Sequence, residues 1–504
     1  MGLPHLLLGL IEVIAFRFLL TFLIRHRFSS LWNVPGPFLA RYTDWWYFWR
    51  LRQGQFEEDN LTLHKQYGPV VRYGSRRYNI NDPASSKIIY GLGKTSPKSS
   101  WYSTWVAPGE ISLFSDQDVN LHLHHRRLFQ NTYSLTAVSF YEQYVNDCVD
   151  IFCQRLSELS QPGLPINMGH WFQCYAFDVI GLITYGERLG FLDHGKDVGS
   201  VIHALEDFMS YAAPMGIFSS LHRLIFPLRN YFTGSRGSGR AYVISFTQDR
   251  ITEHTAKLKA IGSKSDATTT VPFLIKFLKR SQESPRTFTS THVTMGCTAN
   301  MVAGSDTAAI TLSAILYHLL KNPKCLRTLQ QEIDQFYEEG KLSDKPTFQE
   351  SQKMPYLQAV IKEALRIHPA SGLPLERVVP KGGAMISGYF FPEDTVVGIN
   401  IWVEHRNQSI YGPEADIFKP ERWLTQDDQL SVMNRHWMPF GLGSRTCLGR
   451  HISMLEISKL IPRIIRDFNF ELGAELEPIG ARWNTFNYWF VKPKDFYVKV
   501  TSRN

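Results

Sequence analysis

The segment from Phe440 to Arg450, FGLGSRTCLGR, constrains this chain more than any other. It places one cysteine, Cys447, after a glycine-punctuated turn and before a run of helical period from His451 to Phe468. A thiol at the start of a helix lies near free backbone N–H groups and the positive end of the helix dipole, which lower its pKa. Gly443 and Gly449 allow a tight turn and a close approach to a flat ligand. We therefore expect an anionic sulfur at a binding site; the alternative is a buried free cysteine in a turn.

The spacing F-x-x-G-x-R-x-C-x-G resembles the haem-binding loop of the cytochrome P-450 superfamily of haem-thiolate monooxygenases. A thiolate ligand pushes electron density onto haem iron and favours oxygen activation. The resemblance implies that Cys447 is the axial ligand of heme b, that Arg445 binds a haem propionate and that Phe440 shields the sulfur. Asp178 to Leu192 and His405 to Trp423 resemble fungal members, in particular the pisatin demethylase-like branch associated with secondary metabolism.

Composition narrows the class of protein further. The chain has 504 residues, 44% of them hydrophobic, which is enough for a large core. Its formal net charge of +8 comes from dispersed Lys and Arg. This distribution argues against nucleic-acid binding and favours binding to an anionic membrane surface or to an acidic protein partner. The six cysteines form no CxxC pair, so we expect neither a zinc site nor a disulfide scaffold.

The N-terminal sequence is typical of a segment that inserts into a membrane. Leu6 to Ile24 is mostly apolar but contains Glu12 and Arg17. Its apolar residues contribute about −6 kcal/mol to insertion and its two charges cost about +5 to +6 kcal/mol, so it either spans the bilayer or lies in it. Basic residues follow at Arg25 to Arg27 and place the body of the protein in the cytosol. The alternative is an apolar helix packed in a core.

These features predict the domain organisation and the fold. We expect a membrane anchor over residues 1–27, a proline-rich hinge over 28–37 and one catalytic domain over 38–504. Helical period dominates, and strand-like runs are confined to Val70 to Asn81, Ala384 to Phe391 and Tyr488 to Val500. The fold class is therefore mainly α with small β-sheets. The resemblance implies the cytochrome P-450 fold, a triangular helical body with haem between a long distal helix and the proximal cysteine loop.

The sequence AGSDT, from Ala303 to Thr307, lies within a long helical run from Ser290 to Leu320. A glycine among small residues weakens the helix and leaves room for a ligand, and an acid followed by a hydroxyl offers a short proton path. Ordinary helix sequence explains the pattern equally well. The resemblance implies that Asp306 and Thr307 deliver protons on the distal face of the haem.

Glu363 and Arg366 have the i,i+3 spacing of an intrahelical ion pair, which is common on exposed helices. Arg422 follows in the sequence FKPERW. The resemblance implies that these three residues form a buried network that holds the cysteine loop. The expected role of this network is structural. Removing one partner would destabilise the protein, because it leaves a buried charge uncompensated.

The resemblance implies further residues that bind the haem propionates. Arg126 matches the arginine of a tryptophan–arginine pair that contacts a haem propionate, and His122 replaces the tryptophan. Arg377 matches another propionate anchor. For His122 the alternative is a solvated helix face.

The substrate pocket is predicted from position alone. The expected lining residues are Trp101, Trp105, Ala303, Leu373 and Phe486, although generic aromatic packing explains the aromatic ones equally well. Pro214 to Phe232 is an apolar stretch between two helices, and it either dips into the bilayer or forms a buried loop.

The resulting hypothesis is a monooxygenase that inserts one atom of O₂ into a lipophilic small molecule. It implies electrons from NADPH through an NADPH–cytochrome P-450 reductase, with cytochrome b5 as a further donor. It also implies the endoplasmic reticulum membrane, with one N-terminal anchor and a cytosolic catalytic domain. The rivals are a haem-thiolate isomerase or dehydratase, which needs no proton relay, and a non-catalytic haem-binding protein.

Overall fold

The computed structural model describes residues 12–13, 16–17, 20, 30–91, 96–160, 164–233, 239–261, 270–473 and 483–503. Apart from residues 12–13, 16–17 and 20, the predicted anchor lies outside this part of the chain. Among the described residues, no helix has the length and hydrophobicity to cross a membrane.

Helices make up most of the described chain, in agreement with the predicted class. In chain order they are α1 (Trp45–Arg52), α2 (Phe56–Tyr67), α3 (Ser85–Tyr90), α4 (Val119–Phe129), α5 (Leu135–Ser139), α6 (Glu142–Ser160), α7 (Met168–Tyr185), α8 (Phe191–His194), α9 (Val201–Ile217), α10 (His222–Thr233), α11 (Gly239–Ile261), α12 (Phe273–Glu283), α13 (Ser290–Lys321), α14 (Pro323–Glu338), α15 (Phe348–Gln352), α16 (Pro355–Ile367), α17 (Ile401–Glu404), α18 (Gln408–Tyr411), α19 (Asp428–His436) and α20 (Arg450–Asp467).

The strands are short and form small sheets. They are β1 (Val70–Gly74), β2 (Arg77–Ile80), β3 (Ile166–Asn167), β4 (Arg377–Val378), β5 (Ala384–Ile386), β6 (Tyr389–Phe391), β7 (Val396–Gly398), β8 (Phe468–Leu472), β9 (Thr485–Asn487), β10 (Val491–Pro493) and β11 (Tyr497–Ser502). One sheet has the order β1-β2-β7-β4 with β2 and β7 parallel, and a second has the order β3-β11-β8. The pairs β5–β6 and β9–β10 are antiparallel hairpins.

The long helix α13 positions the site. It begins with a capping box in which Thr289 and His292 satisfy each other's free polar groups. Its middle packs closely on α7, because a Cβ on Gly304 would lie 3.1 Å from the Ile180 side chain. A larger residue at 304 would push the two helices apart, so this glycine serves helix packing.

The apolar stretch from Pro214 to Phe232 is not a loop between helices. The last turn of α9 contains Pro214, and α10 covers most of the remainder. Leu224, Tyr231 and Phe232 on α10 are 70%, 81% and 76% exposed. The alternative of a buried loop is therefore wrong.

Candidate active site

A cavity of about 890 Å³ brings together residues that are far apart in the sequence. Cys447 from the glycine-punctuated loop, Thr307 from α13, Arg126 from α4 and Arg377 from β4 all line it. Large apolar side chains form much of the remaining wall. A concave, mostly apolar space with a few convergent polar groups is the usual form of a binding site for a cofactor or a small molecule.

The Cys447 sulfur is open to this cavity. The loop folds back beneath it, because the Cys447 N–H donates to the Phe440 carbonyl oxygen at 2.9 Å. Burial raises the pKa of the Cys447 thiol, and the Gly449 N–H group and the Arg126 guanidinium oppose that rise. The expectation of a lowered thiol pKa is therefore wrong for the protein alone, since loss of bulk water outweighs the local dipoles. A metal ion bound to the sulfur would remove its proton outright.

The two glycines of the loop have different roles. Gly443 has a φ of 65°, and a Cβ there would collide with the Tyr90 carbonyl oxygen. Gly449 lines the cavity and precedes α20, and a Cβ there would lie 3.9 Å from the Cys447 sulfur. Gly443 thus serves chain packing, whereas Gly449 keeps the surroundings of the sulfur open.

Positive charge is concentrated at one part of the cavity wall. Arg126 Nη1 donates to the Thr446 carbonyl oxygen at 2.7 Å, and Arg445 Nη1 donates to the Asp116 carbonyl oxygen at 2.7 Å. Within the described part of the chain, Arg445 Nη2 is buried and has no hydrogen-bond partner. Arg377 donates to the Glu376 carbonyl oxygen at 2.8 Å. Arg377 is buried and the other two arginines are partly buried, and guanidinium groups held there by neutral carbonyl oxygens call for an external anion.

His122 belongs to the same group and is not on a solvated face. It is buried and lines the cavity, and burial, helped by Arg445 and Lys98, lowers its pKa to about 3. A neutral imidazole can donate one N–H to an anion without adding charge. Lys98 also lines this wall, and the sequence reasoning missed it because no motif marks it.

The two predicted proton-relay residues point in different directions. Thr307 lines the cavity, and its Oγ1 donates to the Ala303 carbonyl oxygen at 2.8 Å. Asp306 is fully buried outside the lining, where Gln173 Nε2 donates to its carboxylate and Lys492 Nζ lies 3.2 Å away. A proton on Asp306 reaches the cavity only if this carboxylate rotates away from Lys492.

Glu363, Arg366 and Arg422 form one buried ion-pair network. Arg366 Nη2 lies 2.7 Å from Glu363 Oε1, and Arg422 Nε lies 3.0 Å from the same oxygen. Burial alone would raise the pKa of the Glu363 carboxyl, but the Arg366 hydrogen bond and both guanidinium charges lower it overall. The carboxylate is therefore ionised and compensated.

A buried histidine connects this network to the cysteine loop. His405 Nδ1 lies 3.0 Å from the Arg366 carbonyl oxygen, and the Met438 N–H donates to His405 Nε2 at 2.9 Å. Burial lowers the pKa of His405 well below its ordinary value. The neutral tautomer with its proton on Nδ1 satisfies both hydrogen bonds. His405 therefore connects Arg366 to Met438, two residues before the loop.

Another buried acid, Glu456 on α20, is not part of any network. It lines the cavity at 1% exposure, and neither carboxyl oxygen has a hydrogen-bond partner in the described chain. Burial raises its pKa well above the ordinary value of 4.5. The folded state therefore favours the protonated carboxyl.

Replacing Glu456 with Gln is expected to stabilise the protein increasingly as the pH rises above 4.5. In the unfolded parent the carboxyl ionises above that pH, whereas in the folded parent it stays protonated. The parent thus loses about 1.4 kcal/mol per pH unit relative to the variant, until the folded carboxyl ionises. Urea unfolding of both proteins from pH 4 upward measures the difference. Exposed Glu158→Gln is the control, and a pH-independent difference would contradict a protonated Glu456.

The predicted substrate residues divide into two groups. Trp105 and Ala303 line the cavity. Trp101, Leu373 and Phe486 are not among the lining residues: Trp101 donates to the Ala213 carbonyl oxygen at 3.0 Å, and Leu373 is buried in the core. Phe486 packs on Tyr488 and under the Lys494 ammonium.

The turn after β9 supplies the aromatic lining that the sequence reasoning assigned to Phe486. Trp489 and Phe490 line the cavity, and Trp489 contacts the rings of Trp105 and Phe114. Trp489 has a φ of 127°, which costs a bulky residue roughly 1–3 kcal/mol. A tryptophan before a strand carries no sequence signal for this conformation.

The residues that line this cavity fit a haem. Its iron would meet the Cys447 sulfur, its two carboxylates the cationic wall, and its porphyrin the apolar walls of the cavity. The orphaned Arg445 Nη2 is the observation that favours this assignment, because a buried guanidinium nitrogen needs an acceptor. This combination defines the class of haem-thiolate proteins.

Comparisons with known proteins support the assignment to the haem-thiolate proteins. The cytochrome P450 family model matches residues 35–499, and the chain belongs to this family. It is 37% identical to a pisatin demethylase of Fusarium vanettenii over 96% of this chain and 91% of the relative. It is 36% identical to the cytochrome P450 monooxygenase cicH of Emericella nidulans, over 96% of this chain and 95% of the relative. It is also 33% identical to the monooxygenase gsfF of Penicillium aethiopicum, over 98% of both chains. The chain is a haem monooxygenase.

Proposed function

We propose that this monooxygenase oxidises a lipophilic small molecule of fungal secondary metabolism or detoxification, with electrons that an NADPH-dependent flavoprotein reductase delivers. The observation that supports it is one cavity lined by the thiol of Cys447, the hydroxyl of Thr307 and large apolar side chains. Trp105, Phe114 and Trp489 provide flat apolar surface that suits a lipophilic ring system.

The protein's residues have separate tasks in this proposal. Haem, when bound, supplies the oxygen-activating chemistry. The cationic wall orients the cofactor through its carboxylates, and the aromatic wall excludes water. Thr307 holds a hydroxyl proton in the cavity, hydrogen-bonded to the Ala303 carbonyl oxygen. Asp306 lies behind it, and its carboxylate would take up a proton from water and pass it on once it leaves Lys492.

The electron donor docks near the cysteine loop in this proposal. Arg450, the last residue of the loop, is exposed, and so is Arg127 on α4. Its neighbour Arg126 donates to the Thr446 carbonyl oxygen of the loop. Clustered positive charge attracts an acidic reductase or cytochrome b5 and speeds encounter at low salt.

An isotope experiment tests the oxygenase assignment. The holoenzyme, a fungal P450 reductase and NADPH are incubated under ¹⁸O₂ with a lipophilic extract of fungal metabolites. We expect NADPH-dependent products that carry one ¹⁸O atom, or demethylated products with labelled formaldehyde. Products that form without NADPH would instead support an isomerase or dehydratase, and a bound haem with no turnover of any extract component would support a non-catalytic haem protein.

Thr307→Ala is the matched variant for this experiment. It should bind haem like the parent, because the Thr307 side chain makes only a hydrogen bond within its own helix. We expect NADPH consumption to continue while labelled product falls by about a hundredfold, the lower end of the range for losing a proton-transfer group. Full coupling of NADPH use to product would remove Thr307 from the mechanism.

We also propose that the protein lies on the endoplasmic reticulum membrane, with its catalytic domain in the cytosol and an N-terminal anchor over residues 1–27. An exposed apolar patch supports this proposal. It comprises Phe38, Leu39, Trp45, Trp49, Leu224, Leu228, Tyr231 and Phe232, each at least 54% exposed. The Trp45 ring lies 4.7 Å from the ring of Phe218 at the end of α9, which brings α1 close to the segment that leads into α10. Exposed large apolar side chains on neighbouring elements are typical of an interaction site, and the apolar N-terminal stretch precedes Phe38 in the sequence.

A polarity-sensitive fluorophore tests this membrane surface. It is attached to Cys in place of Leu224, and the control carries it in place of Met385 on the β5–β6 hairpin, which is 57% exposed. On vesicles of fungal phospholipids we expect a blue shift and quenching by lipid-borne nitroxide at position 224 only. Equal responses at both positions would contradict contact between α10 and the bilayer.

A further inference from the structure

Trp489 lies at the tip of the hairpin between β9 and β10, where it contacts the aromatic residues on the opposite side of the cavity wall. Its ring centroid lies 5.1 Å from that of Trp101, 5.6 Å from that of Phe114 and 6.1 Å from that of Trp105. The side chain is 5% exposed and lines the cavity. Tilted and edge-to-face contacts fix the relative orientation of such rings. The position of this indole therefore sets part of the shape of the cavity.

The backbone of Trp489 is held from both sides. Its N–H donates to Asn487 Oδ1 at 3.0 Å, and its carbonyl oxygen accepts the Gly372 N–H at 2.8 Å. These two bonds offset the cost of its φ of 127°, because a bulky residue without them would relax to a negative φ. A Cβ on Gly372 would collide with the Asn487 amide nitrogen, so the two segments pack without space for a larger residue.

Asn487 is itself fixed by residues outside the cavity. It is fully buried, its N–H donates to the Gly54 carbonyl oxygen at 2.7 Å, and its Nδ2 donates to Glu57 Oε2 at 2.5 Å. Glu57 on α2 is also buried, and burial raises its pKa to about 7 although the bond from Asn487 opposes that rise. Neither Asn487 nor Glu57 lines the cavity. The bond to Glu57 fixes which way the amide faces, so its oxygen points to the Trp489 N–H.

We propose that Asn487 is a positioning residue that determines which ring systems bind, because it holds the Trp489 indole in the cavity wall. Glu57 supports it by fixing the orientation of its amide. Without the Asn487 oxygen the hairpin tip relaxes, the indole leaves the wall, and a flat ring in the cavity loses one aromatic contact. This proposal deepens the proposed function and rests on it, since it concerns the substrates that the monooxygenase accepts.

The first measurement follows the indole itself and needs no substrate. Holoenzymes labelled with 5-fluorotryptophan are studied by ¹⁹F NMR as their ferrous carbon monoxide complexes, and Trp489→Ala assigns the resonance. We expect Asn487→Leu to shift the Trp489 resonance. Asn487→Asp keeps an oxygen for the Trp489 N–H and should leave the resonance near its parent position. This variant is measured at about pH 6, below the Glu57 pKa, so that the protonated Glu57 donates to the new carboxylate.

Asn407→Leu is the matched control. Asn407 Oδ1 accepts the N–H of Ser409 at 2.9 Å, which is the same bond two residues along the chain that Asn487 makes with Trp489. Its Nδ2 also donates to a side chain, that of Asn81, at 3.0 Å. Neither Asn407 nor Ser409 lines the cavity. The Trp489 resonance should therefore not move in this variant.

The second measurement tests whether the indole determines ligand choice. Imidazole and 4-phenylimidazole are titrated into each ferric holoenzyme, and binding is followed in the haem absorption spectrum. We expect Asn487→Leu to bind 4-phenylimidazole about fivefold more weakly, the middle of the range for one aromatic contact, and to bind imidazole like the parent. In the Trp489→Ala background the same replacement should have no further effect, because Asn487 acts through that ring.

Three results would overturn the proposal. The first is a Trp489 resonance in Asn487→Leu at the parent position, and the second is an equal loss of affinity for both imidazoles, which indicates a general loss of structure. The third is an undiminished effect of Asn487→Leu in the Trp489→Ala background. If Asn487→Leu does not accumulate, Asn487→Ala takes its place. Both measurements need bound haem but no turnover, so a failure to oxygenate any substrate would contradict the proposed function and leave these results unchanged.

Discussion

Replacing Cys447 with Ala is expected to abolish all NADPH-supported oxygenation while the fold persists. The thiolate is the ligand by which haem iron activates oxygen, and no other described cysteine lines the cavity. The backbone bond from Cys447 N–H to Phe440 does not depend on the side chain and survives in the variant. Circular dichroism should be unchanged, and the reduced, carbon monoxide-bound protein should lose its thiolate absorption band.

Cys325→Ala is the control for this experiment. Cys325 is also a free cysteine, but it is buried on α14 away from the cavity. Its loss should cost about 1 kcal/mol of stability or somewhat more, with an unchanged spectrum and unchanged turnover. A thiolate band that persists in Cys447→Ala would contradict the assignment of the axial ligand.

The parts of this site that the sequence predicts are local in sequence. The turn and cysteine of the loop lie within eleven residues, and Glu363 and Arg366 lie one helical turn apart on α16. Helical period and residue spacing determine such features directly. The mainly helical class followed from the same patterns.

The parts that the sequence did not predict depend on distant packing. Asp306 turns to Lys492, which is remote in sequence, and Lys98 meets Arg377 through an isolated bridge. Trp489 reaches the cavity through an unusual backbone angle that no residue pattern encodes. The thiol pKa was misjudged for the same reason, because local dipoles can be read from spacing but burial requires the whole fold.

Arg366→Lys is expected to destabilise the protein by about 3–5 kcal/mol and to prevent stable haem incorporation. Arg366 makes five hydrogen bonds: two to Glu363 and one each to the carbonyl oxygens of His405, Ala415 and Ile417. An ammonium has three donors and lacks the planar fork, so buried acceptors lose their partners. Loss of the bond from the Arg366 side chain to the His405 carbonyl oxygen would loosen His405, whose ring accepts the Met438 N–H just before the cysteine loop.

Arg155→Lys provides a matched control for Arg366→Lys on the same scaffold. Arg155 also pairs with a glutamate at i+3, Glu158, but the two side chains are 31% and 46% exposed. An exposed pair of this kind contributes at most about 1 kcal/mol, because water solvates both charges. Urea unfolding and haem content should therefore separate the two conservative substitutions. Equal behaviour of both variants would show that the buried network does not support the loop, since burial is the main difference between the two pairs.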